Sequence, residues 1–174
     1  MSREDVLKST KSPPRLRRAY FDCRYGQLHV HNAIPAGGGF DELTTLVCLH
    51  GTGQTGRVFA PALAVLGADR SIYAIDLPGC GESDPAPGVA AVEAGVHAVV
   101  DFLDSMRIRK VDVLATGEGC VVARQFAALH AARLRKLALV AEPVAAKDAL
   151  SHPVLALPVE AVADAVKPLV AFFD

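Results

Sequence analysis

Three short loops carry side chains that could perform chemistry together. They are 50–54 (HGTGQ), 76–84 (DLPGCGESD) and 115–120 (ATGEGC). Between them they carry imidazole, carboxylate, hydroxyl and thiol groups, which are the side chains of acid–base and nucleophilic catalysis. Each loop follows a short apolar run. In an open parallel sheet, ligand chemistry lies in the loops at the carboxyl ends of the strands, so these loops form the candidate site.

The apolar pattern around the loops predicts the elements that position them. Continuous apolar runs of strand length precede the loops, and apolar residues at helical spacing follow them. Short buried strands that alternate with helices are typical of a parallel sheet covered on both faces. We therefore predict an α/β fold with strands over 43–49, 71–75, 111–115 and 137–141, and helices over 58–66, 89–106 and 120–132.

Two further apolar runs, over 20–24 and 28–31, predict an antiparallel hairpin ahead of the parallel sheet. His29 and His31 fall on the same face of the second strand, a spacing that could hold a metal ion. No third ligand is near them in the sequence. We therefore expect cross-strand surface histidines and assign no metal site.

Three segments resemble the α/β-hydrolase superfamily. LVCLHGTGQTG resembles the family's oxyanion-loop segment, and AIDLPGCGESD resembles its D-x-P-G-x-G-x-S segment. VDVLATGEGCVVARQFAALHAARLRKLALV resembles the strand, turn, helix and strand around its nucleophile. The match runs from about Arg18 to Glu142. It implies a mostly parallel sheet with a leading antiparallel hairpin and helices on both faces, with the family's cap and late strands largely missing.

The domain organisation follows from the same comparison and from composition. Residues 1–16 are polar and show no period, which predicts a mobile N-terminal tail. Residues 17–174 then form a single α/β-hydrolase-like domain.

The resemblance also implies roles for individual residues. The family's nucleophile lies in a G-x-S-x-G turn, which corresponds here to residues 115–119. Gly117 takes the place of the nucleophile and has no side-chain atom that could attack. The backbone N–H groups of Glu118 and of Thr52, in the loop that starts with His50-Gly51, correspond to the family's oxyanion hole.

Glu118, Glu142 and His152 are the candidates for a catalytic acid or base, and each has an alternative interpretation. The Glu118 carboxylate is a general base or a solvated acid at a helix N-terminus, where the helix dipole favours it. Glu142 matches a strand-end position where some relatives place the triad acid, or it is an ordinary strand-end acid. His152 is the family's catalytic histidine or a loop residue before a strand over 153–157. An apolar run led by proline is typical of a strand start, so we favour the strand, with a helix over 158–166.

Composition and charge limit the partners. Apolar residues make up 51% of the chain and charged residues 21%, with a formal net charge of −1. No basic excess indicates nucleic acid or an anionic membrane as a partner. We find neither an apolar run long enough for a transmembrane helix nor an apolar signal core. The four cysteines form no CxxC pair, which favours a reduced, cytoplasmic compartment, and we expect no cofactor.

Two functional hypotheses result. The first is an α/β-hydrolase-family protein that has lost serine-type catalysis and acts as a binding or regulatory scaffold for a small apolar or ester-like ligand. The alternative is a working hydrolase or lyase of non-serine mechanism that uses His152 or Glu118 with a retained oxyanion hole. In both cases the strand over 137–141 would leave an apolar edge exposed, and we expect a homo-oligomer built through residues 137–157.

Overall fold

The short apolar runs of the sequence become the strands of one sheet. The computed structural model describes residues 12–38, 43–140, 151–157 and 162–174. Within these residues the strands are β1 (Arg15–Cys23), β2 (Gly26–Ile34), β3 (Leu46–Leu49), β4 (Ile72–Ile75), β5 (Val111–Thr116), β6 (Leu134–Val140) and β7 (Val154–Leu157). The α-helices of the same residues are α1 (Ala60–Leu66), which follows a 3-10 turn (Gly56–Phe59), α2 (Ala91–Ser105), α3 (Gly119–Leu129) and α4 (Val162–Phe173).

The strand order of the sheet is β1-β2-β4-β3-β5-β6-β7. β1 and β2 form the antiparallel hairpin, β2 pairs antiparallel with β4, and the strands from β3 to β7 are parallel. The chain passes from β3 to β4 on one side and then crosses to β5 on the other. The loops after β3 and β5 therefore lie side by side at the carboxyl edge of the sheet. The predicted fold class is confirmed.

Helices cover both faces of the sheet. Val47 and Leu49 of β3 pack with residues of α2 and α3, whereas Leu46 and Cys48 pack with residues of α1 and α4. Successive side chains of a strand point to opposite faces, so a strand between two helical layers is apolar throughout. This is why β3 and β4 are buried at every position.

β6 begins at Leu134, earlier than the strand start that the sequence predicts at residue 137. Arg135 and Lys136 interrupt the apolar run and conceal its beginning. The Arg135 guanidinium pairs with the buried carboxylate of Asp112, and Lys136 Nζ donates to the Phe172 carbonyl oxygen at 2.6 Å. Charged groups are tolerated in this buried strand because each has a partner.

The N-terminal boundary also differs from the prediction. β1 begins at Arg15, within the segment expected to be a tail, and its backbone pairs with β2 from Ile34 onwards. The side chains of residues 15–18 are exposed, so this edge strand has the composition of a solvated arm. Residues 1–11 of the predicted tail lie outside the described residues.

The carboxyl ends of α3 and α4 also differ from the predicted bounds by several residues. α3 ends at Leu129, and a 3-10 turn (Ala131–Arg133) follows where the sequence predicts helix to residue 132. α4 continues to Phe173 through Pro168, beyond the predicted end at residue 166. The predicted helix start at 158–161 lies outside the described residues.

Three cations bind the carboxyl end of α4. Arg70 is fully buried and donates to the Phe173 carbonyl oxygen at 3.1 Å and to Asp174 Oδ1 at 2.9 Å. Arg135 donates to the Phe173 carbonyl oxygen as well, at 3.0 Å, and Lys136 to that of Phe172. The last carbonyls of a helix have no intrahelical partner and carry partial negative charge, so these cations satisfy and stabilise the helix end. They fix α4 to the sheet.

We expect Arg70→Met to lower the free energy of unfolding by about 1–3 kcal/mol, because it removes charged hydrogen bonds from a buried position. Urea titration measures the change. The control is Arg24→Met, which removes an ion pair with Asp101 at the surface; a loss of at most about 1 kcal/mol is expected there. Equal losses in the two variants would contradict the role assigned to Arg70.

Candidate functional site at the carboxyl edge of the sheet

β5 passes into α3 through a turn of two residues, Gly117 and Glu118. Gly117 has a φ of +55°, in the left-handed region that strains any residue with a side chain. A Cβ added to Gly117 would lie 3.2 Å from the Gly51 Cα, and one added to Gly119 would lie 2.3 Å from the Leu49 carbonyl oxygen. The loops after β3 and β5 thus meet through backbone atoms.

Gly117 lies at the apex of this turn. In a G-x-S-x-G turn the serine hydroxyl at this position is the attacking group, and glycine supplies no such atom. The neighbouring hydroxyl and thiol, those of Thr116 and Cys120, belong to buried residues on either side of the turn.

The Glu118 carboxylate binds the loop after β3. Its Oε2 accepts a hydrogen bond from the Thr52 backbone N–H at 2.8 Å, although the side chain itself is exposed. This amide is the main cause of a lowered pKa for Glu118, and the residue's own backbone N–H contributes to the shift. The two N–H groups that correspond to the family's oxyanion hole therefore both stabilise the negative charge of Glu118.

The His50 side chain connects two loops of this site. The ring is fully buried. Its Nε2 accepts a hydrogen bond from the Leu77 backbone N–H at 2.9 Å, so its proton is on Nδ1, which lies 2.8 Å from the Gly51 carbonyl oxygen. Both ring nitrogens are thus occupied, and burial lowers the pKa of His50. A neutral His50 joins the loop after β3 to the loop after β4.

Asp76, which directly follows β4, is a functional candidate that the sequence analysis did not single out. Its buried carboxylate accepts hydrogen bonds from the Gly56 N–H at 2.7 Å and the Glu82 N–H at 3.2 Å. His29 Nδ1 lies 2.9 Å from Asp76 Oδ2. The expectation that His29 is a surface histidine is therefore wrong, because its ring is buried against this carboxylate. The signal in the sequence was the position of Asp76, at the end of β4 as His50 is at the end of β3.

The structure does not bring His152 to this edge. His152 precedes β7, and its Nε2 lies 2.8 Å from the carbonyl oxygen of Ala131, which precedes β6. Because β6 and β7 are parallel, His152 lies at the amino edge of the sheet, opposite the Gly117 turn. The strand over 153–157 is present as β7. Glu142 lies outside the described residues.

Comparison with known proteins identifies the family. The family described as "Alpha/beta hydrolase family" matches residues 46–174, which is most of the chain. The chain belongs to the α/β-hydrolase family. In this α/β-hydrolase-family chain, the residues matched include both loops that meet at Gly117.

Individual relatives show the extent of the similarity. A pimeloyl-[acyl-carrier protein] methyl ester esterase of Chromobacterium violaceum is 34% identical over 96 residues, which cover 55% of this chain and 36% of the esterase. An epoxide hydrolase from an endophytic Streptomyces has a TM-score of 0.66 at 20% identity, covering 75% of this chain and 38% of its own. An epoxide hydrolase from Vigna radiata has a TM-score of 0.64 at 16% identity, covering 74% of this chain and 39% of its own.

The α/β-hydrolase chain described here thus spans well under two thirds of the length of these relatives. At sequence identities of 16–20%, the similarity to these two solved structures shows the fold alone. Among the described residues no helix has the length and apolar character needed to cross a membrane.

The neutral state of His50 predicts a pH dependence of stability. The pKa of His50 is lowered in the folded protein. The unfolded chain, in which the histidine has a pKa of about 6.5, therefore binds more protons near and below that pH, and the free energy of unfolding decreases as the pH is lowered. His50→Gln keeps an acceptor for the Leu77 N–H but takes up no proton. We expect the free energy of unfolding to fall less steeply between about pH 7.5 and 5 in this variant than in the unmodified protein.

Urea titrations across this pH range measure the two slopes. His130→Gln is the control, because it removes a histidine that follows α3, outside the three loops. The interpretation fails if His50→Gln and the unmodified protein show the same slope.

Proposed function

We propose that this α/β-hydrolase-family protein has lost serine-type catalysis and acts as a binding or regulatory scaffold. The observation that carries the proposal is Gly117, a glycine with left-handed backbone geometry at the apex of the turn between β5 and α3. Serine-type ester hydrolysis divides one difficult step into two by forming an acyl-enzyme on the side chain at this position. No such intermediate can form on glycine.

The position of Glu118 supports the same proposal. A retained oxyanion hole alone leaves roughly 10³–10⁴-fold acceleration over water in enzymes whose triad has been removed. Here the Thr52 N–H already binds the Glu118 carboxylate. A substrate carbonyl would have to displace an anion from this amide, and that reduces the remaining electrostatic contribution further. A small apolar or ester-like ligand would bind beside the Gly117 turn without being turned over.

The alternative, a hydrolase of non-serine mechanism, has less support. A general base works best with a pKa near the operating pH, and hydrogen bonds lower the pKa of Glu118 below its ordinary acidic range. His152, the other candidate base, is on the opposite edge of the sheet. Neither group has the properties that water activation at Gly117 requires.

We expect the unmodified protein neither to hydrolyse p-nitrophenyl esters nor to react with a fluorophosphonate probe, because the turn has no nucleophile. Gly117→Ser should restore little labelling, since neither base candidate, Glu118 or His152, is suited to activate the hydroxyl, and since Glu118 occupies the Thr52 amide. Mass spectrometry of the probe-treated proteins measures the stoichiometry of labelling and its position.

Two comparisons make the result interpretable. Gly117→Ala adds the same Cβ at this φ without a hydroxyl. Its free energy of unfolding therefore measures how much the added Cβ destabilises the turn in both variants. Gly117→Ser combined with Glu118→Ala frees the Thr52 N–H and should be labelled more than Gly117→Ser alone. Stoichiometric labelling of the unmodified protein within residues 115–120 would overturn the proposal.

We propose in addition that copies of the chain associate through the edge of the sheet formed by β7. In the described part of the sheet β7 pairs with β6 on one side only. Val154 is exposed on this strand, and an apolar edge strand favours pairing with another chain. The scaffold would then be a homo-oligomer.

Light scattering coupled to size-exclusion chromatography should show a dimer or larger species at micromolar concentration, and Val154→Lys should shift it to the monomer by placing charge on the edge. Val121→Lys is the control, because Val121 is an exposed apolar residue on α3, away from β7. A monomeric unmodified protein would refute the association.

A further inference from the structure

A second cluster of polar side chains lies at β2, apart from the Gly117 turn. It consists of His29 and His31, which share one face of β2, and Asp76, which follows β4. His29 Nδ1 is 2.9 Å from Asp76 Oδ2, and His31 Nε2 is 3.9 Å from Asp76 Oδ1. One donor atom from each of the three residues lies within 4.8 Å of the other two. The third ligand that is missing near the histidines in the sequence is thus supplied by the fold.

These separations are close to those that a tetrahedral metal ion requires. Zinc binds imidazole nitrogen and carboxylate oxygen at about 2.0–2.2 Å, so two ligands of one tetrahedral ion are separated by about 3.3 Å. His29 Nδ1 lies 2.9 Å from one oxygen of the Asp76 carboxylate and His31 Nε2 lies 3.9 Å from the other, so each histidine is within about 0.6 Å of this separation from a carboxylate oxygen. Two imidazoles and one carboxylate also form a ligand set that leaves a coordination position for water or a further ligand.

The ligands are held in place by an outer layer of hydrogen bonds. The Gly56 N–H donates to Asp76 Oδ1 and the Glu82 N–H donates to Asp76 Oδ2. Each carboxylate oxygen has two lone pairs, so these amides orient the carboxylate and leave capacity for a metal ion. Ser83 Oγ lies on the same segment and donates to the Asp76 carbonyl oxygen at 2.6 Å. Such outer contacts are what fixes the ligands of metal sites.

The cluster borders open space at His29. An open cavity of about 550 Å³ lies beside it, lined by Leu16, Arg17, Arg18, Tyr20, His29 and Glu82. The guanidinium groups of Arg18 and Arg57 act on His31 and oppose a cation. The carboxylates of Asp76 and Glu82 favour one, and Asp76 is the charged group in direct contact with both histidines. The local charge is therefore compatible with a divalent ion bound by Asp76.

We propose that His29, His31 and Asp76 bind a divalent transition-metal ion of the zinc type, through His29 Nδ1, His31 Nε2 and a carboxylate oxygen of Asp76. Binding replaces the hydrogen bond between His29 and Asp76: Nδ1 then presents its lone pair to the metal, and the ring proton is carried by Nε2. The site is independent of the Gly117 turn and of the proposed loss of serine chemistry.

The test is a titration of the full chain, stripped of metal with a chelator, with Zn²⁺ alone. Isothermal calorimetry should show one Zn²⁺ bound per chain, and Co²⁺ should give the visible absorption bands of a tetrahedral site. His31→Gln removes a ligand at a partly exposed position. It should weaken binding by more than the roughly 10–100-fold that loss of an outer hydrogen-bond partner costs.

Two controls separate this site from other zinc ligands in the chain. His97→Gln removes a histidine on α2 that binds Tyr25, and Cys80→Ser removes a thiol in the same loop as Asp76. Both should bind Zn²⁺ as the unmodified protein does. In NMR spectra of the unmodified protein, Zn²⁺ should shift the imidazole resonances of His29 and His31, which keeps the test valid if His31→Gln does not fold. Absence of saturable binding, or binding that shifts only other histidines, would overturn the proposal.

Discussion

The loop after β3 and the turn before α3 approach each other so closely that a Cβ at Gly119 would clash with the Leu49 carbonyl oxygen and one at Gly117 would crowd the Gly51 Cα. Gly119 must lie against the Leu49 carbonyl oxygen, and Gly117 against Gly51, for α3 to begin where it does. With α3 beginning there, its Val122 and Phe126 pack in the same apolar cluster as residues of α2 and the strands. The contact also sets the positions of Thr52 and Glu118. The packing of one face of the sheet and the geometry of the candidate site therefore share one steric requirement.

Buried polar groups around Asp76 connect the remaining loops to this contact. The Asp76 carboxylate binds the backbone at Gly56 and Glu82, and His50 binds the backbone at Leu77. A buried polar group that loses its partner costs about 1–3 kcal/mol, so each of these contacts favours a single arrangement of the loops. The same satisfied network orients Asp76 toward His29 and His31. Structural support and the proposed metal site thus use one carboxylate.

The sequence was sufficient to predict the α/β fold, the hairpin and the presence of the parallel strands, because the apolar runs that fill two helical layers are short and continuous. It was insufficient where charges have partners distant in the chain. Arg135 and Lys136 concealed the start of β6, since Asp112 and the end of α4 that bind them are remote in sequence. The exposed side chains of residues 15–17 concealed the backbone pairing of β1.

The candidate site, too, could be predicted from the sequence only in part. The resemblance to the α/β-hydrolase family predicted that Gly117, Glu118 and Thr52 belong to one site. The sequence did not predict the hydrogen bond between the Glu118 carboxylate and the Thr52 N–H, because that bond depends on the side-chain rotamer. It also did not predict that His29 is buried against Asp76, because that contact depends on how β2 pairs with β4. His152 was ambiguous from spacing, and only the parallel pairing of β6 with β7 assigns it to the opposite edge.

The contact between Glu118 and Thr52 has a consequence for the evolution of this chain. A tethered carboxylate competes for its amide as an internal ligand at high effective concentration. Under the proposed function, a mutation that restored serine at 117 would create a nucleophile whose oxyanion site is taken, and a mutation that removed Glu118 would free the site without a nucleophile. Neither change gains activity by itself, so selection for hydrolysis has no favourable first step. Loss of the serine mechanism would then be difficult to reverse.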